Sequence, residues 1–115
     1  MVSRISRDEL RALIERSDPF VLLEALPPAY FEDAHLPGAL NMPHDQVDAL
    51  APTLIPSLST EVVVYCANAP CPNSEIAARR LTALGYANVR EYAEGKEDWI
   101  GAGLPIERGA ATPAR

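Results

Sequence analysis

Residues 61–65 read Glu-Val-Val-Val-Tyr, and the three consecutive β-branched side chains have no polar residue between them. A strand with one solvated face would alternate apolar with polar. An unbroken run of this length suits a strand covered on both faces, at the centre of a parallel sheet. Parallel neighbours need crossover connections, which are usually helical. The chain supplies one directly. Cys66 follows the strand, a loop covers 67–73, and a helix is predicted over 74–84. In that helix Ile76, Ala77, Leu81 and Leu84 form the apolar side, while Arg79, Arg80 and Thr82 face away. Gly85 supplies a left-handed stop.

The rest of the chain repeats the alternation. Ser6 and Glu9 have capping-box spacing, with Ile5 and Leu10 placed as a hydrophobic staple. Leu10, Leu13 and Ile14 recur at helical spacing, so a helix is predicted over 7–16, stopped by Asp18-Pro19. A short buried strand is read at 20–23. Pro27-Pro28 opens a loop, and 30–34 forms one helical turn. Pro37-Gly38 turns the chain into a second short strand at 39–42. Residues 45–51 are weakly helical, and Pro52 and Pro56 bracket a loop. A strand at 89–92 and a helix at 96–102 follow, and 109–115 reads as a frayed tail. Short apolar strands alternating with helices predict one α/β domain over 1–108, with a largely parallel central sheet flanked by helices. The chain shows no internal repeat, low-complexity block or second domain.

Net charge narrows the function. At −6, the chain lacks the positive surface that nucleic acid or an anionic membrane recruits, and neither is expected as a partner. The same charge opposes long-range steering of anions, so any anion site has to be built locally. No apolar run approaches the roughly 20 residues needed to span a bilayer. The first residues lack the continuous apolar core of a signal peptide. A cytoplasmic location is therefore expected, with Cys66 and Cys71 reduced. The sequence sets no oligomeric state.

Cys66 stands where open parallel sheets bind ligands, beyond the carboxyl end of a strand. The helix that follows offers free N–H groups and a positive dipole end. Both are expected to favour the thiolate and lower its pKa, and to hold an oxyanion. Two readings of Cys66 fit this position: a nucleophile aimed into a cradle of amides, or a small buried hydrophobe. Cys71 could resolve an oxidised or persulfidated Cys66 through a disulfide across the loop; packing inward as an ordinary loop cysteine is preferred. Asn68 and Ser74 could orient groups in the loop, or serve as a turn residue and a helix cap, the cap being preferred for Ser74. No metal site is expected, because two cysteines supply half a zinc site and His35 and His44 lack the usual spacing. Trp99 reads as a core anchor, and Arg79 and Arg80 as a solvated helix face.

Two stretches of the chain resemble the rhodanese-like family. Ala34-His35-Leu36-Pro37-Gly38-Ala39-Leu40-Asn41-Met42-Pro43 is similar to the family's Gly-His-Ile-Pro-Gly-Ala-x-Asn-Ile-Pro signature. Downstream, Tyr65-Cys66 and the paired Ala77-Ala78 are similar to elements of the family's second half, and Gly85-Tyr86, Asn88-Val89, Gly95, Trp99 and Ala102-Gly103-Leu104-Pro105 match it in order and spacing. The resemblance covers residues 20–106. It implies a rhodanese-like α/β fold and a sulfurtransferase that carries sulfane sulfur as a persulfide on Cys66. A small-molecule or protein donor and acceptor are implied, and no cofactor beyond the carried sulfur. It assigns His35 to a structural turn and places Glu24 near the active-site mouth, as an acid/base group or discriminator, although a solvated loop carboxylate is the commoner case.

The active-site loop departs from the pattern. Ala67, Asn68, Ala69, Pro70, Cys71, Pro72, Asn73 and Ser74 make it about two residues longer than Cys-x-x-Gly-x-Arg/Ser-Ser, and it carries no Arg or Lys. Pro70 and Pro72 remove two amide donors. Weak thiosulfate activity is therefore expected. One rival is a phosphatase or arsenate-reductase-like enzyme, which the family builds on Cys-x5-Arg; here the sixth position after Cys66 is Pro72. A second rival is a non-catalytic or redox-sensing interaction module.

Overall fold

The computed structural model describes residues 2–16 and 19–109. The stop read at Asp18 and the 110–115 part of the tail lie outside the described residues. In chain order the elements are β1 (Ser3–Arg4), α1 (Arg7–Arg16), β2 (Val21–Glu24), α2 (Pro28–Asp33), β3 (Leu40–Asn41), α3 (Val47–Leu54), β4 (Glu61–Tyr65), α4 (Asn73–Ala83), β5 (Asn88–Tyr92) and α5 (Gly95–Gly101). The sheet order is β1-β5-β4-β2-β3, and every pairing is parallel. The valine-rich strand β4 takes the centre, as its unbroken apolar run requires.

Side chains of β4 alternate between two cores. Val62 and Val64 join residues of α3 and α4 in one apolar layer, and Val63 and Tyr65 join α1, Phe31 of α2 and Trp99 of α5 in the other. Val62, Val63 and Val64 are all at 0% exposure. Burying each contributes roughly 1.5–3 kcal/mol relative to leaving it in water. That burial on both faces fixes the end of β4, and with it the position of Cys66.

Local signals explain the helices. The Ser6 amide donates to Glu9 Oε1 at 3.0 Å and the Glu9 amide donates to Ser6 Oγ at 3.1 Å, closing the capping box of α1. Ile5 and Leu10, the staple pair, are both buried. Gly85 ends the α4 region at φ 105°, a conformation that side chains with a Cβ avoid.

Three features differ from the sequence reading. Strand β1 was not anticipated: two exposed polar residues carry no period, and pairing with β5 alone defines it. Helix α3 runs through Pro52 to Leu54 instead of ending before it. Pro52 forfeits one backbone hydrogen bond, and burial of Val47, Ala51 and Ile55 holds the helix across the defect. The buried side of α4 is Ser74, Ala77, Ala78 and Leu81, while Ile76 and Leu84 are exposed. The polar Ser74 leads a stripe of small residues there, which a search for large apolar side chains passes over.

Candidate active site

Cys66 leaves the carboxyl end of β4 and enters a loop that is docked on α5. Its carbonyl accepts from the Lys96 amide at 2.8 Å, and the Ala67 carbonyl accepts from the Glu97 amide at 2.8 Å. These carbonyls satisfy amides at the start of α5, which have no partner within the helix. Gly95 makes the approach possible. It has φ 78°, and a Cβ there would lie 2.7 Å from the Asn68 nitrogen and 2.8 Å from the Cys66 oxygen. Asn68 shapes the turn as expected of a turn residue. Its Oδ1 and its carbonyl both accept from the Cys71 amide at 3.1 Å, and its side-chain amide donates to Glu97 at 3.2 Å.

The sulfur itself is fully buried and meets acceptors. Cys66 Sγ lies 3.4 Å from the Cys71 carbonyl, 4.0 Å from the Asn68 carbonyl and 3.4 Å from Ser74 Oγ. Its pKa is raised, contrary to the lowered value the sequence suggested. Burial is the main cause and the neighbouring Cys71 thiol the next; the Ser74 hydroxyl and amide act in the opposite direction. The expected cradle of amides is thin for chemical reasons: Pro70 and Pro72 have none, and the Cys71 amide is committed to Asn68. Ser74 is not a cap either. It lies inside α4, whose end has no side-chain cap, and Asn73 is the first helical residue.

The Ser74 hydroxyl donates instead to Glu91 Oε2 at 2.7 Å. Glu91 sits on β5 two residues after Val89, so both side chains point to the α4 side of the sheet. It is 7% exposed. Sequence inspection overlooked it, although a carboxylate at an inward position of a strand is a signal of its own. Glu24 is not the solvated loop carboxylate of the commoner case: it is fully buried on the opposite sheet face, where it accepts from Tyr65 Oη at 2.7 Å and Lys96 Nζ at 3.1 Å. Lys96 Nζ also donates to the carbonyls of Tyr30 and Ala34, at 2.9 and 2.7 Å. Burial raises the Glu24 carboxyl pKa even though Tyr65 and Lys96 pull it down.

A family model described as "Rhodanese-like domain" matches residues 6–102. The chain belongs to the rhodanese-like family. A human single-domain sulfurtransferase structure superposes with a TM-score of 0.75 at 25% identity, covering 88% of this chain and 97% of that one. An HTH-type transcriptional regulator of Mycobacterium tuberculosis is 31% identical over 92% of this chain and 45% of its own length. An adenylyltransferase and sulfurtransferase of Candida albicans is 26% identical over 84% of this chain and 23% of its own. The chain thus spans between about a quarter and about a half of the curated relatives it matches.

Within this rhodanese-like domain the remaining candidates have plain structural surroundings. His35 is buried, stacks on Phe31 with ring centroids 3.7 Å apart, and gives its Nδ1 hydrogen to the Phe31 carbonyl at 2.8 Å. Its backbone exchanges two 2.8 Å hydrogen bonds with Glu107. Trp99 is buried with its indole N–H on the Pro105 carbonyl at 2.7 Å. Arg79 pairs with Glu75, and Arg80 holds Asp48 in a two-pronged contact at 2.6 and 2.7 Å that ties α4 to α3. His44 lies half-buried between β3 and α3. Both cysteines are free, Cys71 being partly exposed. Among the described residues no group of three or more His, Cys, Asp or Glu side chains is arranged to hold a metal, and no helix is long and apolar enough to cross a membrane.

Proposed function

We propose that this domain is a sulfurtransferase in which Cys66 carries sulfane sulfur as a persulfide. One observation carries the proposal: Cys66 stands at the carboxyl end of the central parallel strand, directly before a crossover helix, in a rhodanese-like chain. The Cys66 thiolate attacks the outer sulfur of a donor R–S–S⁻. A new S–S bond forms at Cys66, the donor S–S bond breaks, and the thiolate R–S⁻ leaves. A nucleophilic acceptor then attacks the outer sulfur and returns Cys66 as thiolate. No external oxidant or cofactor enters this cycle. Both cysteines are free, which suits a reducing compartment such as the cytoplasm.

The loop sets the donor. Residues 67–73 contain no cation and two prolines, so little in them stabilises the sulfonate end of thiosulfate. Uncharged or polysulfide donors suit the site better, and a protein acceptor fits as well as a small thiol. The same lack of a cation counts against phosphate or arsenate as substrate. Entry needs the loop tip at Ala69 and Pro70, which is exposed, to lift from the buried sulfur.

Intact-protein mass spectrometry after exposure to polysulfide tests the proposal. The expected result is a gain of one sulfur atom that maps to Cys66, is reversed by cyanide or a thiol, and is absent in Cys66→Ser. Sulfur on Cys71 in the native protein, or no gain with any sulfane donor, overturns it.

A further inference from the structure

We infer that Glu91, acting through Ser74, takes the proton of Cys66 and so sets how much of the cysteine is reactive thiolate. This rests on Cys66 being the nucleophile proposed above. Cys66 Sγ, Ser74 Oγ and Glu91 Oε2 form a continuous chain, with 3.4 Å across the first link and 2.7 Å across the second. The three residues are buried, at 0%, 1% and 7% exposure.

Ser74 has one hydroxyl hydrogen, so it cannot serve the sulfur and the carboxylate together. With Glu91 ionised, the short contact takes that hydrogen, and the sulfur donates its own to Ser74 Oγ. A concerted shift reverses the pattern. The S–H bond breaks as Ser74 Oγ takes the proton, and the original Ser74 O–H bond breaks as Glu91 Oε2 takes the hydrogen. The products are a Cys66 thiolate, a neutral Ser74 whose hydrogen now points at the sulfur, and a neutral Glu91 carboxyl. One negative charge is present before and one after. Loss of the Cys66 proton to water with Glu91 still ionised would leave two negative charges in one dry site, which is strongly unfavourable.

The far side of Glu91 lines a cleft of about 540 Å³ between β1 and α4. Arg4 faces it from β1, in register with Glu91, and Glu75 and Arg79 face the cleft from α4, paired with each other at 2.9 Å. On the inner side the titratable groups are Cys66 of the β4 end and Cys71 of the loop. Glu91 therefore borders that cleft while its Oε2 stays buried on Ser74.

The test is the pH profile of Cys66 alkylation by excess iodoacetamide, read at the Cys66 peptide. Within the state that holds one proton between the pair, the thiolate fraction is fixed by the relay and not by bulk pH. The native protein should therefore show a pH-independent plateau between two titration steps. Glu91→Gln should lose the plateau and rise about tenfold per pH unit up to the thiol pKa. Glu91→Asp, which keeps the carboxylate, should restore a plateau at lower height, and Ser74→Ala should abolish it. Rates are compared at iodoacetamide concentrations over which they stay first order in reagent, so that loop opening is a fast pre-equilibrium and does not itself set a pH-independent rate. A single sloping titration in the native protein, or a plateau surviving in Glu91→Gln, overturns the relay. The native profile decides the matter even if the variants fail to fold. A plateau without persulfide formation would remove the sulfur-carrier proposal and keep the relay; persulfide on Cys66 without a plateau would do the reverse.

Discussion

At the scale of single residues, the chemistry turns on what surrounds each charge. Cys66 is sealed and its thiol pKa is raised, whereas Cys71 is partly exposed. Limiting alkylation near neutral pH should therefore label Cys71 before Cys66, the reverse of what a helix N-terminus alone would suggest; peptide mapping after partial modification checks this. The buried Lys96 makes a second case. Lys96→Met removes the cation facing Glu24 and strips donors from the carbonyls of Tyr30 and Ala34. Breaking a buried pair by removing one partner costs about 3–5 kcal/mol, which urea denaturation at neutral pH should register. The pH dependence has a defined sign. A carboxyl whose folded pKa is raised keeps its proton in the native state after the unfolded chain has lost it, so its contribution to stability falls as pH rises through that window. Losing Lys96 raises Glu24 further, so the deficit of Lys96→Met should narrow on acidification.

At the scale of elements, the site depends on how closely the loop after β4 lies on the start of α5. Gly95→Ala puts a methyl group within 2.8 Å of loop backbone atoms that cannot rotate away. Overpacking of this kind costs about 1–3 kcal/mol. Gly95→Ala should lower the urea midpoint and expose Cys66 to alkylation, since the loop is the part that yields. The elements themselves were largely legible in the sequence. The helix of Arg7–Arg16 followed from its capping box and spacing, and the strand Glu61–Tyr65 from its three valines. The site was legible only as far as Cys66 and its loop. Ser74 was visible but read as a cap, because hydroxyl residues are common at helix starts. Glu91 and Lys96 were missed, since charged residues default to the surface and only their inward register, set by neighbouring strands and helices, buries them. The pKa of Cys66 was misjudged because a helix N-terminus was counted, while the burial of the sulfur and the approach of the Cys71 thiol, which depend on loop geometry, were not.

At the scale of the molecule, net charge and sheet shape set outer limits. A net charge of −6 repels a dianionic donor before it meets the loop. Screening weakens that repulsion beyond about 10 Å at 0.1 M salt, so added salt should raise kcat/KM for thiosulfate and leave an uncharged donor nearly unaffected; a steady-state comparison at two ionic strengths checks it. The sheet also tapers. The outer strands β1 and β3 have two residues each, whereas β4 and β5, with five each, are enclosed between neighbours. An exposed flank of that length offers an incoming chain only a few unpaired N–H and C=O groups, too little to template a ladder. The valine run that would make the most adhesive amyloid segment in the sequence is thereby kept from its own kind, and the fold guards against self-assembly by running out of edge.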